Sequence, residues 1–484
     1  MEPSIPLLEE YSDSPVEHHE ESQFDHEPKP ILSQPPPPPP RWTTGKPYRL
    51  LTTSLLIAAL PRFLRPGGLA RKSDKIHSTA YLDALRGYAA CIVFAGHLLG
   101  YPAAIQYPFL RVLTSNRGMV DVFFVISGYV LSYRMLKLMR QKNADLLLQS
   151  LASSTFRRYL RLYVPTGIAT FIAMLLVYTG HIPSAPKLAT FKLQLWDWIV
   201  DTIFASSPFA DLRGWWYGDV FRTKYLDQMW TIPVEFRGSI ILFAFCAASC
   251  KLSVKGRMVL TWLAILACYI WNVVYVALFL LGMFVAELSL ERDQEAHQPR
   301  LPAWEGFSAA GKRLIRSVGL NTACIVIFII SLFLLSQPHD PGFGSNGPFP
   351  WQYLTKLTPS WYSGPGEPKE HFWLGIGAFL LVLSLEFYPK LQTPLRWNFS
   401  LYLGELSFGL YAVHPMVIWA LYINKLTPYR QIYLGESTLA YFPGVIITSV
   451  VSLWAADYFE RVDRRVVQFG RWLQNSTFEK WQAR

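Results

Sequence analysis

The chain has 484 residues, of which 51% are hydrophobic and 15% aromatic, while only 16% are charged against roughly 25% in soluble domains. That balance excludes an ordinary water-soluble enzyme, and apolar runs near the roughly 20 residues needed to cross a bilayer recur along most of the length. The net charge of +11 is uneven, because residues 1–30 hold nine of the 34 acids and one of the 45 Lys and Arg; the remaining basic excess sits in short loops beside apolar runs, the pattern of cytosolic loops rather than of a nucleic-acid surface. Residues 1–46, acidic and then proline-rich with a run from Pro35 to Pro40, cannot bury enough surface to fold and are expected to form a disordered cytosolic tail. No basic start with an immediate apolar stretch opens the chain, so the first inserted helix is expected to act as the targeting signal. Within residues 47–77, YRLLTTSLLIAALPRFLR is too short to span and is expected to lie flat on the cytosolic face.

Residues 78–460 are expected to form one membrane domain, with spans at about 82–101, 119–138, 162–180, 235–250, 257–271, 273–289, 320–336, 372–388, 400–422 and 438–458. The fold class is thus an all-α polytopic membrane protein of about ten transmembrane helices with both termini cytosolic, and 461–484 is a basic cytosolic tail. Arg71, Lys72 and Lys75 before the first span set the orientation, together with Lys137 to Arg161 after the second. It requires 257–289 to be a hairpin turning near Asn272. The sequons at Asn398 and Asn475 then face the cytosol and are expected to be unused. Cys91, Cys246, Cys250, Cys268 and Cys324 lie in or beside apolar runs without metal-site or paired-loop spacing, so neither a disulfide framework nor a bound metal is expected.

Ionisable groups inside spans are expensive and are candidate functional residues by default. The first span carries Arg86 and His97, eleven positions apart, which puts them on one helix face and roughly 16 Å apart along the axis. In the second, GMVDVFFVISGYVLS sets Asp121 near the outer end, at a depth matching His97 on an antiparallel neighbour. A carboxylate there can fix one imidazole nitrogen and leave the other as a base. MWTIPVEFRGS puts Glu235 just after Pro233 at the outer end of the fourth span, and LSFGLYAVHPMVIW places His414 in the outer half of the ninth. On the inner side, FRRYLRLYVP presents Arg157, Arg158 and Arg161, whose forks suit phosphate oxygens. Each residue also has a plainer reading: a snorkelling arginine, a packed histidine, an acid capping a helix, or basic residues that only set topology. The partition sharpens the functional one, with arginines inside and two histidines and two carboxylates outside.

YLDALRGYAACIVFAGH, GMVDVFFVISGY, RRYLRLYVP, MWTIPVEF and SFGLYAVHP resemble successive motifs of the acyltransferase 3 family of integral membrane acyltransferases, in matching order across about residues 78–460. The Arg, ten residues, His spacing is the most specific element, and MWTIPVEFRGS is similar to the fungal form of that family's Trp-to-Glu motif. The acidic proline-rich tail departs from the common pattern. The resemblance implies about ten core helices and transfer of an acyl group, often acetyl, from a coenzyme A thioester to a hydroxyl. It carries functional roles to Arg86, His97, Asp121, Arg158, Arg161 and Glu235, and more loosely to His414.

The sequence therefore leads to a membrane O-acyltransferase of the endomembranes or plasma membrane, with no permanently bound cofactor. Acyl-CoA, in the first instance acetyl-CoA, is the expected donor, and a hydroxyl of a small molecule, lipid or glycan the acceptor. Arg158, Arg161 and Arg157 would hold the donor phosphates, Arg86 would guide the acyl arm, and His97 oriented by Asp121 would be the base. Glu235 and His414 would bind the acceptor or assist proton transfer, and an acyl-histidine route stays open. The competing class is a secondary transporter using the same buried charges as a proton or substrate path, although no internal repeat is evident. A retinal-type receptor is weaker still, because the tenth span has no lysine for a Schiff base.

Overall fold

In a computed structural model, which describes residues 60–65, 67–69, 77–100, 107–207, 223–297, 307–338, 349–362 and 370–478, every regular element is a helix. The helices are α1 (Ala80–Leu99), α2 (Asn116–Arg140), α3 (Ala144–Tyr178), α4 (Phe191–Ala205), α5 (Thr231–Ser249), α6 (Val254–Ile270) and α7 (Val274–His297). They continue with α8 (Phe307–Leu335), α9 (Trp351–Leu357), α10 (Glu370–Phe387), α11 (Asn398–Val417), α12 (Thr427–Tyr433) and α13 (Thr438–Thr477). The expected tail, most of the flat segment before the first span, and Arg71, Lys72 and Lys75 lie outside the described residues.

Seven described helices are long and apolar enough to cross a membrane, which makes the chain a multi-pass membrane protein. They contain seven of the ten expected spans. The other three, at 257–271, 320–336 and 372–388, fall on α6, which has 17 residues, and on α8 and α10, where the apolar stretches Gly319–Leu335 and His371–Phe387 are shorter. The expected hairpin is present as α6 and α7, turned by Asn272 at φ 57, a left-handed conformation that asparagine tolerates.

Two stretches expected to be loops are helical. The arginine-bearing segment before residue 162 is the first half of α3, which starts at Ala144 because the Asn143 side chain caps the Leu146 amide. α3 has 35 residues and α13 has 40, so they extend roughly 52 and 60 Å and overrun a roughly 30 Å hydrocarbon core. Their overhangs pack together, with Ser153 bonded to Gln474 at 3.1 Å and Phe156 against Phe478. The second stretch, expected as an outer loop, contains α4, capped by Thr190. α4 runs back along α3: Phe191 meets Tyr178, Trp198 meets Phe171, and Ser206 accepts from Tyr159. Thr223 and Tyr225 return beside α4, bonded to Asp201 and Asp197 at 2.6 Å each.

The core forms where helices approach at glycines. A Cβ on Gly128 of α2 would lie 2.1 Å from the Phe279 carbonyl oxygen of α7, and one on Gly87 of α1 would lie 2.4 Å from the Gly404 amide of α11. Backbone cannot yield as a flexible side chain can, so the Gly87 contact fixes the helix that carries Arg86. Gly128→Val is expected to destabilise the protein by about 1–3 kcal/mol or more, seen as a lower melting temperature and loss of the monodisperse peak in detergent. An unchanged melting curve would contradict the close approach.

Basic residues expected only to mark topology also neutralise interior acids. Arg140 and Arg257 both bind Glu287, at 2.6 and 2.7 Å, while Arg292, Tyr81 and Ser289 converge on Glu386. Arg62, from the segment preceding α1, reaches Asp457, Glu405 and Glu460 and so ties that segment to α11 and α13. Burial disfavours its charge, but the bonds to Asp457 and Glu405 outweigh this and raise its pKa above the ordinary value.

Candidate active site

The candidate site is a cleft enclosing about 760 Å³ of empty space, its mouth included, between α1, α2, α3, α5, α11 and α13. Helical spacing builds its walls. Arg158, Arg161 and Leu162 share one face of α3; Val120, Phe123, Phe124 and Ser127 share one face of α2; and Ser407 and Tyr411 lie a turn apart on α11. Arg86, Thr231, Glu235 and Asp463 complete the polar lining. The site holds three arginine forks, two carboxylates and several hydroxyls around an apolar floor, a composition suited to a phosphate-bearing molecule with a flexible, less polar arm.

Arg158 is 7% exposed and forms an ion pair with Glu235. This corrects the expected partition, in which Glu235 stood with the histidines. The segment before α5 has already descended beside α4, so α5 starts at the depth of Tyr411 and its fifth residue, Glu235, meets the arginines one turn further in. Arg157, about 100° around the helix from Arg158, turns its Nε toward the Ser153 carbonyl at 3.4 Å and is not among the residues lining the cleft.

The histidines converge from two helices. His97, near the end of α1, is exposed, and its ring centre lies 5.3 Å from that of His414. His414 is wholly buried, and its Nδ1–H donates to the Leu410 carbonyl at 3.0 Å. A carbonyl can only accept, so neutral His414 is the Nδ1–H tautomer and Nε2 carries the lone pair. That Nε2 is buried with no hydrogen-bond partner among the described residues. Pro415 follows inside the helix, and a π-helical stretch continues it over Ile418–Leu426. Tyr411, one turn before His414, has its ring 6.0 Å away. Its hydroxyl bonds Thr231 at 2.8 Å and donates to the Gln228 carbonyl, while its other side lines the cleft. Tyr411 thereby connects the arginine cleft to the histidine pair.

Asp121 is fully buried, and both of its carboxylate oxygens lie 3.1 Å from Nδ1 of His371 on α10. The expected pairing of Asp121 with His97 is therefore replaced: the ring against His97 is His414, and the ring on Asp121 is His371. Helix phase explains it, because Val120, Phe123 and Ser127 face the cleft, which turns Asp121 toward α10. The carboxylate acting electrostatically on both His97 and Tyr411 is Asp227, in the turn before α5. Sequence reading missed His371 and Asp227; His371 at the start of an apolar run was the available signal, read there as a loop boundary. Among the described residues no three His, Cys, Asp or Glu side chains cluster as metal ligands.

Comparison with known proteins gives a family model for an acyltransferase domain, of the acyltransferase 3 type, that matches residues 79–458. The O-acetyltransferase PaAT-1 of Phomopsis amygdali is 30% identical over 440 residues, covering 83% of this chain and 86% of that protein. Acyltransferase R4 of a Phoma species and acyltransferase clz18 of Cochliobolus lunatus are each 22% identical, over 77% and 69% of this chain and 92% and 82% of their own lengths. No solved structure matches.

Proposed function

Because the chain belongs to the acyltransferase 3 family, we propose that it moves an acetyl group from acetyl-CoA to a hydroxyl of a small molecule. The observation that carries this reading is the cleft itself, with Arg86, Arg158 and Arg161 at one part and Tyr411 leading to the His97–His414 pair at another. The donor phosphates bind Arg158 and Arg161, with Glu235 holding the Arg158 guanidinium in place, and the pantetheine arm passes Arg86 and Ser127. His97, the reachable imidazole, takes the proton from the acceptor hydroxyl as its oxygen bonds to the thioester carbonyl carbon. The tetrahedral intermediate collapses with cleavage of the C–S bond. The imidazolium returns its proton to the leaving thiolate, giving an ester and free CoA. The His414 ring packs against His97 in place of the expected Asp121, and Asp227 favours the transient positive charge.

Phosphate clamps act in the ground state as well as in the transition state, so Arg161→Gln should raise the KM for acetyl-CoA several-fold with little change in kcat. Steady-state kinetics at saturating acceptor measure this, and an unchanged KM would return Arg161 to a topological role. The function as a whole is tested by comparing metabolites of a strain lacking the enzyme with its parent. A metabolite should fall by one acetyl unit in mass, restored by the wild-type gene and not by His97→Ala. Identical metabolite profiles would contradict the proposal.

A further inference from the structure

The cleft is lined by two carboxylates as well as three arginines, an odd complement for a site that must take a polyphosphate. Glu235 is the partner of Arg158. The other carboxylate, Asp463, enters the lining from α13. α13 carries three acids, and the other two are committed elsewhere: Asp457 to Arg62 and Arg461, and Glu460 to Arg62 and Arg464. Asp463 has no basic residue three or four positions away on its own helix, where Phe459, Glu460, Val466 and Val467 stand. The cations that line the cavity with it are Arg86, Arg158 and Arg161, from α1 and α3. Asp463 is half-buried and lies just past the apolar run of α13, as Arg158 and Arg161 lie just before that of α3. It therefore stands at the root of the two packed overhangs, at the watery end of the cleft. The nucleotide of the donor must stay at that end, because its phosphates cannot enter hydrocarbon.

Resting on the acetyl-CoA reading, we infer that Asp463 is the counter-anion that sets the affinity of the cleft for the nucleotide end of donor and product. Acetyl-CoA and CoA carry the same phosphates, so an arginine grip on them is uniform binding. It strengthens product as much as donor, and slows CoA release without speeding the chemistry. A carboxylate in the same cavity opposes that grip, attracting the same guanidinium groups and repelling the phosphates. In the empty cleft Asp463 and Glu235 offset two of the three cationic charges. When the donor binds, its phosphates take over the arginine forks and Asp463 turns toward water, which its half-buried position allows. Glu235, 13% exposed, has less freedom and stays on Arg158.

Asp463→Asn separates this role from a structural one by the sign of its effect, because loss of a supporting group weakens binding whereas loss of an opposing charge strengthens it. In isothermal titration of the full-length protein in detergent, CoA should bind Asp463→Asn with a Kd about three- to tenfold lower than wild type. The nucleotide end alone, 3′-phosphoadenosine 5′-diphosphate, should gain by the same factor. Asp463→Glu, which keeps the charge, should bind as wild type does. The gain in Asp463→Asn should shrink as salt is raised. In turnover this variant should show a lower KM for acetyl-CoA, a lower kcat and stronger inhibition by CoA. Equal or weaker CoA binding by folded Asp463→Asn would overturn the inference, as would a gain for CoA that the nucleotide alone does not share. Should Asp463→Asn fail to fold, Asp463→Ser removes the same charge and is read in the same way. Failure of the wild-type protein to bind either CoA or the nucleotide would overturn the acetyl-CoA reading itself, and this inference with it.

Discussion

Replacing His97 by alanine will lower acetyl transfer by roughly 10²- to 10⁴-fold while leaving the protein folded. The side chain is exposed and packs on one ring, so its loss opens no large core cavity, whereas loss of a positioned base removes the proton acceptor from the reaction. His414→Gln should cost less than His97→Ala, since His414 acts on the reaction through His97. The measurement is CoA release coupled to ester formation by purified protein. Turnover above about a tenth of wild type in His97→Ala would exclude it as the general base. Asp121→Asn separates the two pairings. It removes the carboxylate from His371, so the expected result is a fall in thermal stability with the pH profile of turnover unchanged, whereas a shifted profile would reinstate Asp121 as the partner of His97.

The second large effect falls on the Arg158–Glu235 pair. Both side chains are mostly buried, at 7% and 13% exposed, and removing one partner leaves an uncompensated charge, at a cost of about 3–5 kcal/mol. Arg158→Met and Glu235→Gln should each reduce the yield of folded protein sharply. The double variant should recover much of that yield, because two neutral side chains of similar size replace the pair. It should still turn over acetyl-CoA poorly, since Arg158 also faces the donor. Melting temperatures and yields of the three variants give the coupling energy directly. Additive losses in the double variant would mean that the two groups do not depend on one another.

Much of this architecture is legible in the sequence, since hydropathy reports burial in lipid directly. The first two spans, the α6–α7 hairpin at Asn272 and the ninth span lie within a few residues of their expected positions. Hydropathy says nothing about how far a helix continues into water. It therefore missed the polar first half of α3, the extension of α13 and the whole of α4, whose sequence FKLQLWDWIVDTIFA mixes charge with aromatics. The candidate residues themselves were legible, because Arg, His, Asp and Glu in apolar surroundings stand out. Their pairing was not. Depth along a helix follows from residue number, but rotation about the axis decides the neighbour, and Asp121, expected at the depth of His97, turns toward His371. Glu235 shows the other failure: its depth depends on where α5 begins, which is set by the path of residues 223–230 beside α4 and not by the apolar run.

The account rests on a donor held at the arginine side of the cleft and an acyl group passed toward His97. Its most direct test uses sealed vesicles of known orientation containing the purified protein. Acetyl-CoA labelled in the acetyl group is supplied on one face at a time, with the small-molecule extract of the deletion strain on both faces. The account predicts labelled ester only when acetyl-CoA is on the face that carries the α3 and α13 overhangs, and none with His97→Ala. Ester formed equally from acetyl-CoA on either face, or no labelled ester from either, would contradict it.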